Sequence, residues 1–230
     1  MTSDRLTEQQ LAEIERLQRG MQARFRSVPE SGVKVEYLGK EFIVYRNVFW
    51  PFEDSKPLVE NCVINPGDCV LDVGTGSGVI AIFSAYKGAN KVIAVDINPE
   101  CVRNAKSNTN LHGFSNIIDV RLSDLFDAIR NDEKFDVITA NLPFRNRFAS
   151  GLVEATQWDT GFDTNKRFFY GAGKYLKQNG RIYLAQANFG NLDDMQQLAN
   201  KYGFDVKLIG QKSMLDPDPR IFYAFELTRK

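Results

Sequence analysis

The segment Val70-Leu71-Asp72-Val73-Gly74-Thr75-Gly76-Ser77-Gly78 is an apolar, β-branched run that breaks into three alternate glycines. Glycines at such a break let the backbone approach a ligand closely, and the carboxyl end of a strand is where open α/β sheets bind their ligands. A dinucleotide fingerprint does not fit. Its third glycine would fall at Val79, and the spacing here is Gly-x-Gly-x-Gly. Asp72 precedes the first glycine by two residues. A carboxylate there repels a pyrophosphate and suits a ligand whose amino-acid end carries an ammonium group.

A second run ends in Ala94-Val95-Asp96-Ile97-Asn98, about two dozen residues after Asp72, where a ribose-binding acid belongs in a Rossmann-like unit. A third ends in Arg121-Leu122-Ser123-Asp124-Leu125-Phe126, which places Asp124 to accept a hydrogen bond from an adenine amino group. Asp124 alone reads equally well as a helix N-cap, but three acids at successive strand ends do not. The carboxylate of Asp72, which suits an ammonium and repels a pyrophosphate, favours S-adenosylmethionine (SAM) over NAD, while a ribose and an adenine site fit either. Leu71 through Asn98, with Asp124, resembles the SAM-binding half of class I methyltransferases. The resemblance implies S-adenosyl-L-methionine as cofactor, held by Asp72, Gly74, Thr75, Gly76, Ser77, Gly78, Asp96, Ile97, Asp124 and Leu125.

A fourth run, Phe135 to Ala140, leads into Asn141-Leu142-Pro143-Phe144. This resembles the Asn-Pro-Pro-Tyr type motif of amino methyltransferases, with Leu142 in place of the first proline and Phe144 in place of tyrosine. A conjugated NH2 is a poor nucleophile because its lone pair is delocalised, so a site must hold it by its hydrogens and aim the lone pair at the methyl group. The Asn141 side-chain oxygen and the Leu142 carbonyl can each accept one hydrogen. Pro143 stiffens the loop and the Phe144 ring can lie against a flat acceptor. Asn141 is expected to border the cofactor as well. Upstream, Pro51-Phe52-Glu53-Asp54-Ser55 resembles the Pro-x-Glu-Asp-Thr segment of HemK-type methyltransferases, which implies that Glu53 and Ser55 line the cofactor cleft, with Trp50 or Phe52 as wall.

The elements that must carry these residues follow from their patterning. β-branched runs at 70–73, 92–95, 117–120, 135–139 and 182–187 alternate with helical stretches at 79–86, 99–111, 167–176 and 192–202, the signature of a parallel, doubly wound α/β sheet. Runs at 206–210 and 221–227, joined by Asp216-Pro217-Asp218-Pro219, form an antiparallel pair closing the sheet edge. The fold class is therefore α/β, a Rossmann-like, mostly parallel sheet. The family resemblance makes it seven-stranded with an antiparallel last strand. Apolar residues Leu11, Ile14, Leu17, Met21 and Phe25 recur at helical spacing behind a Thr7/Gln10 capping box, and a hairpin at 33–45 follows. Residues 1–48 thus form an N-terminal appendage and residues 49–230 the methyltransferase domain.

Lysine plus arginine equals aspartate plus glutamate at 29 each, so no long-range field draws the chain to phosphate or membrane. Neither a signal peptide nor a membrane span is readable, and the three cysteines, Cys62, Cys69 and Cys101, lack metal-ligand spacing, which places the protein in the cytoplasm with reduced thiols and no metal. His112 reads as a helix cap. Arg16, Arg19, Arg24 and Arg26 read as a solvated face, and Arg145 and Arg147 as candidates to border the substrate mouth. Residues 158–163 read equally as a substrate loop or a helix entry. The expected activity is transfer of a methyl group to an amide or amino nitrogen, with a protein glutamine favoured. An RNA or DNA amino group, a small metabolite, and a SAM-binding protein without catalysis are the alternatives. Charge neutrality counts against a large nucleic acid.

Overall fold

A computed structural model describes residues 6–230, so the first five residues of the expected appendage lie outside the description. The chain runs α1 (Glu8–Ser27), β1 (Val33–Tyr37), β2 (Lys40–Val44), α2 (Lys56–Asn61), β3 (Cys69–Val73), α3 (Val79–Tyr86), β4 (Lys91–Asp96), α4 (Pro99–Leu111), β5 (Ile118–Leu122) and β6 (Phe135–Ala140). Two short 3-10 turns (Glu154–Thr156, Thr160–Phe162) then lead to α5 (Asp163–Tyr175), β7 (Leu176–Ala187), α6 (Leu192–Lys201), β8 (Phe204–Ser213) and β9 (Ile221–Arg229).

Strands β3 to β9 form one seven-stranded sheet in the order β5-β4-β3-β6-β7-β9-β8, parallel except for β9, which is antiparallel to both neighbours. The terminal pair is antiparallel as expected, but β8 is the edge and β9 slides between it and β7. Order reverses between β3 and β6, and the crevice at that switch point is the position where such sheets bind ligands.

Local chemistry explains the boundaries. Thr7 and Gln10 cap α1 reciprocally, and Asn98 caps α4 through Glu100 N with Pro99 in the first turn. The β1–β2 hairpin turns on Leu38 and Gly39, both at positive φ. Central strands are buried on both faces. Leu71, Val73, Ile138 and Ile182 pack under α5 and α6, while Val70, Val92, Val137 and Tyr183 pack under α2 and α3.

Three features differ from the sequence reading. The short helix α2, opened by Pro57, had no periodicity long enough to detect. Gly180, which falls between the helical stretch ending at 176 and the strand run opening at 182, lies within β7, where a register shift against β6 absorbs the irregular residues. Helix α5 begins before 167 because both Asp159 carboxylate oxygens accept backbone amides, from Thr164 and Asn165, which makes residues 158–163 a helix entry.

The N-terminal elements are tied into this core. Asn104 and Asn108 of α4 bond to backbone groups of Ile43 and Tyr45 along the free edge of β2. Helix α1 turns Ile14, Gln18, Gln22 and Phe25 inward. The arginines of α1 divide: Arg16 pairs with Glu13 in solvent, whereas Arg19 and Arg24 lie over the Trp158 and Trp50 rings at 4.8 and 4.0 Å. His112 is the C-terminal cap residue of α4 and packs on Phe42. Cys62 and Cys101 are buried free thiols and Cys69 is half-buried. No helix among the described residues is long and apolar enough to cross a membrane.

Candidate active site

One cavity runs along the carboxyl ends of β3, β4 and β6. It is lined at one end by Gly74 to Ser77 of the glycine loop, Asp96, Ile97, Asp124 and Leu125, and at the other by Asn141 to Phe144, whereas Gly78, expected at the cofactor, packs against Ala105 of α4 instead. The glycine loop is shaped by its own backbone: Gly74 and Thr75 amides donate to Val95 O at 2.9 and 3.0 Å, and Gly78 N donates to Thr75 O at 2.8 Å. Gly74, Gly76 and Gly78 all have positive φ. A Cβ on Gly76 would meet nothing within 4 Å, so this residue presents open backbone to the cavity.

Asp96 forms the adjoining wall. Its Oδ2 accepts from Gly76 N at 2.8 Å and its Oδ1 from Asn98 N at 2.9 Å, so the carboxylate ties the end of β4 to the glycine loop. Burial raises its pKa, and these amides oppose the rise. Asp124 also lines the cavity, where Arg167 pairs with it at 2.9 Å.

Asp72, expected to face a ligand's ammonium group, does not line the cavity. It is fully buried, and Thr75 and Thr139 hydroxyls donate to its two oxygens at 2.6 and 2.8 Å. The reason is strand alternation: Asp72 sits in register with Thr139 of β6 and points with Val70 to the α3 side of the sheet. Its contribution is to hold the first turn of the loop from behind.

Asn141 is oriented by residues far away in sequence. Its Nδ2 donates to Asp54 Oδ2 at 2.8 Å and to Ser55 Oγ at 3.1 Å. With the amide nitrogen held on that side, Oδ1 faces the other way. Among the described residues neither Asn141 Oδ1 nor the Leu142 carbonyl accepts a hydrogen bond. The rest of the loop is gripped: Asn165 Nδ2 donates to Pro143 O and Asn191 N to Phe144 O, each at 2.8 Å. The Phe144 ring stands edge-on to Phe189 at 5.7 Å.

Ser55 lines the cavity beside Asp54, but Glu53 does not. It turns toward Lys56 and Lys212, each 3.9 Å away. Neither Arg145 nor Arg147 borders the mouth. Arg145 is buried against Gln18 at 2.8 Å, and Arg147 pairs with Glu15 on the outside. The arginines that line the cavity are Arg167 and Arg220, and Gln18 and Met21 of α1 roof it. Asp54 carried one sequence signal, its place between Glu53 and Ser55. Gln18, Phe189 and Phe222 carried none, and Arg220 only its place at the end of the Asp216–Pro219 turn, which reads first as a turn and second as a rim of the site.

The two buried aspartates make stability depend on pH. Burial pushes Asp54 and Asp72 each up to about 6. Both lie above the ordinary carboxyl value of about 4. The folded chain therefore holds protons that the unfolded chain has released. The resulting stability is fully present below about pH 4 and lost as pH rises through about 6. Asp72→Asn stays neutral throughout, and Thr139 can turn its hydroxyl to accept. Wild-type Tm is expected to fall between about pH 4 and 7 by several degrees more than that of Asp72→Asn, since two units correspond to at most about 3 kcal/mol. Parallel curves in a calorimeter would remove Asp72 as the titrating group.

A doubly wound sheet with its glycine turn at the end of the central strand, acids at the next two strand ends and two free oxygens after the fourth is the arrangement of a class I methyltransferase. The family described as ribosomal protein L11 methyltransferase (PrmA) matches residues 58–144. A Methanocaldococcus jannaschii protein, provisionally named a protein N5-glutamine methyltransferase, is 32% identical over 76% of this chain and 89% of its own. The release factor glutamine methyltransferase of Cereibacter sphaeroides is 30% identical over 64% of this chain and 57% of its own. This chain spans about half the length of that enzyme and of a Rickettsia typhi bifunctional methyltransferase, of which it covers 45%. In fold it resembles the T. thermophilus 16S rRNA N2 G1207 methyltransferase solved with AdoMet and guanosine, with TM-score 0.61 at 18% identity over 86% of this chain and 50% of that one. The chain belongs to the HemK-type family of class I SAM-dependent methyltransferases.

Proposed function

We propose that the protein transfers the methyl group of SAM to the side-chain amide nitrogen of a protein glutamine in the cytoplasm. The observation that carries this reading is the pair of uncommitted oxygens at the end of β6, Asn141 Oδ1 and Leu142 O, beside an amide nitrogen already tied to Asp54 and Ser55. A carboxamide NH2 has two hydrogens to give and a delocalised lone pair, and two fixed acceptors hold it by those hydrogens. Holding it there aligns the nitrogen for in-line attack and removes the entropy of finding that geometry. The names of the Methanocaldococcus and Cereibacter relatives support the choice of glutamine.

The residues present fit the cofactor. Open backbone at Gly76 leaves room for close approach, Asp96 suits a ribose, and Asp124 with Leu125 borders the space for the base. When bound, SAM supplies the electrophilic methyl on its sulfonium. Gly74, Thr75, Ser77 and Gly78 shape the loop against which it lies, and Asp72 acts through Thr75. Ser55 borders the cofactor and orients Asn141 at once.

Purified protein incubated with methyl-labelled SAM and, separately, a bacterial release factor, ribosomal RNA and a small-metabolite extract tests the reading. Label is expected in the release factor as N5-methylglutamine. Label confined to RNA or metabolite would overturn it.

A further inference from the structure

The mechanism above leaves Arg220 without a role, although it lines the same cavity. It is 7% exposed and borders the aromatic end formed by Phe52, Phe144, Phe189 and Phe222. Its guanidinium carbon lies 5.3 Å from the Phe52 ring centroid and 5.9 Å from that of Phe222. Asp218 engages one side of the guanidinium: Nε donates to both carboxylate oxygens at 2.9 and 3.0 Å, and Nη2 to Oδ2 at 2.6 Å. Nη1 has no hydrogen-bond partner among the described residues, and it is not sealed in protein.

The loop that carries Arg220 is pinned. Asn188, just past β7, donates to Pro219 O at 2.9 Å and accepts from Ile221 N at 3.0 Å, and Met214 N donates to Arg220 O at 3.0 Å. Asn188 also adjoins Phe189, which packs on Phe144 of the transfer loop, so the free donor is held in a fixed relation to that loop. A donor so placed has its ordering cost already met by the fold, which favours binding.

The chemistry of the ligand follows from charge. Asp218 cancels the guanidinium's charge, and aromatic rings flank it, so an anion such as phosphate or carboxylate finds no net attraction there. A neutral oxygen with lone pairs to fill suits the remaining N–H groups. A polypeptide offers such an oxygen at every residue. We propose that Arg220 is a specificity-determining residue that donates through Nη1 to a carbonyl oxygen of the acceptor polypeptide. This rests on the reading that the acceptor is a protein glutamine.

Two measurements on wild type, Arg220→Met, Arg220→Lys and the double variant Asp218→Asn/Arg220→Met test it. The double variant leaves no unpaired carboxylate behind. The first measurement is steady-state methylation of a release factor. The second is binding of acetylglutamine methylamide to SAM-depleted protein loaded with S-adenosylhomocysteine, followed by NMR line broadening. Both Met variants are expected to raise the KM for the release factor by about tenfold or more while kcat stays within about threefold, and to weaken the diamide by a similar factor. SAM affinity is expected to stay within about twofold. Lysine, keeping a donor, restores part of the loss.

If wild type methylates the release factor and the Met variants match its KM, the inference is overturned while the functional reading stands. If wild type leaves the release factor unlabelled yet binds the diamide in an Arg220-dependent way, the reading fails and the subsite stands. A wild type that does neither overturns both. Equal losses in SAM affinity and Tm would show that Arg220 only supports the loop, and would also overturn the inference.

Discussion

Asn141→Ala is expected to lower the single-turnover methylation rate about a hundredfold or more while SAM affinity stays within a few-fold, because it removes a positioning contact at the reacting centre and leaves the glycine loop untouched. The Asn141 amide is anchored on one side only: its nitrogen is held by Asp54 and Ser55, and its oxygen, which the proposed reaction uses, accepts no hydrogen bond among the described residues. Alanine also leaves buried Asp54 without its 2.8 Å donor, which is expected to cost about 1 to 3 kcal/mol of stability. Asn141→Asp separates the two roles. On sequence alone a carboxylate keeps an acceptor and could retain partial activity. In the structure it would face Asp54 across 2.8 Å, and two carboxylates that close must share a proton. Protonated Asp54 can then donate as the amide does, so the variant's activity is expected to fall with rising pH. Wild-type rates in Asn141→Ala, with an acceptor in hand, would show that the nitrogen is held elsewhere.

Gly76→Val is expected to abolish measurable SAM binding while the circular dichroism spectrum and Tm stay near native, and Gly78→Val to lower the Tm by roughly 5 to 15 °C. The two glycines look alike in sequence. At Gly76 φ is +56° and a Cβ meets nothing within 4 Å, so a side chain projects into the cavity and blocks ligand approach. Its backbone strain, roughly 1 to 2 kcal/mol, is small against typical domain stability. At Gly78 φ is +87° and a Cβ would lie 3.2 Å from both Cα and Cβ of Ala105. Valine there drives α3 away from α4, and overpacking adds about 1 to 3 kcal/mol to the strain. Calorimetry with SAM and a thermal melt on both variants decide the matter. Native binding by Gly76→Val would move the cofactor out of this loop.

The elements that position the site were legible because their signals are local. The strand runs, Asn98 before Pro99, the Thr7/Gln10 capping box and the three glycines each act within a few residues of where they stand, and all produced the expected elements. The Asn141 to Phe144 segment was legible for the same reason, since it follows directly on β6.

What faces what was a different matter. The direction of Asp72 depends on which side of β3 it occupies once Thr139 lies beside it, and that neighbour comes from β6. Arg145 lies away from the mouth that its nearness to the transfer motif suggested, and Arg220, read first as part of a turn, lines the cavity. Gln18 of α1 draws Arg145 inward, while the insertion of β9 between β7 and β8 carries Arg220 to the cavity. The orientation of Asn141 is set by Asp54, 87 residues earlier. By itself, the sequence determined the strands, the loop and the residue types that could hold a methyl donor and a nitrogen, because backbone propensity and turn chemistry act over short range. Only the tertiary structure decided which carboxylate points at the cavity and which is a buried brace, because that depends on contacts between segments that meet only when the sheet closes.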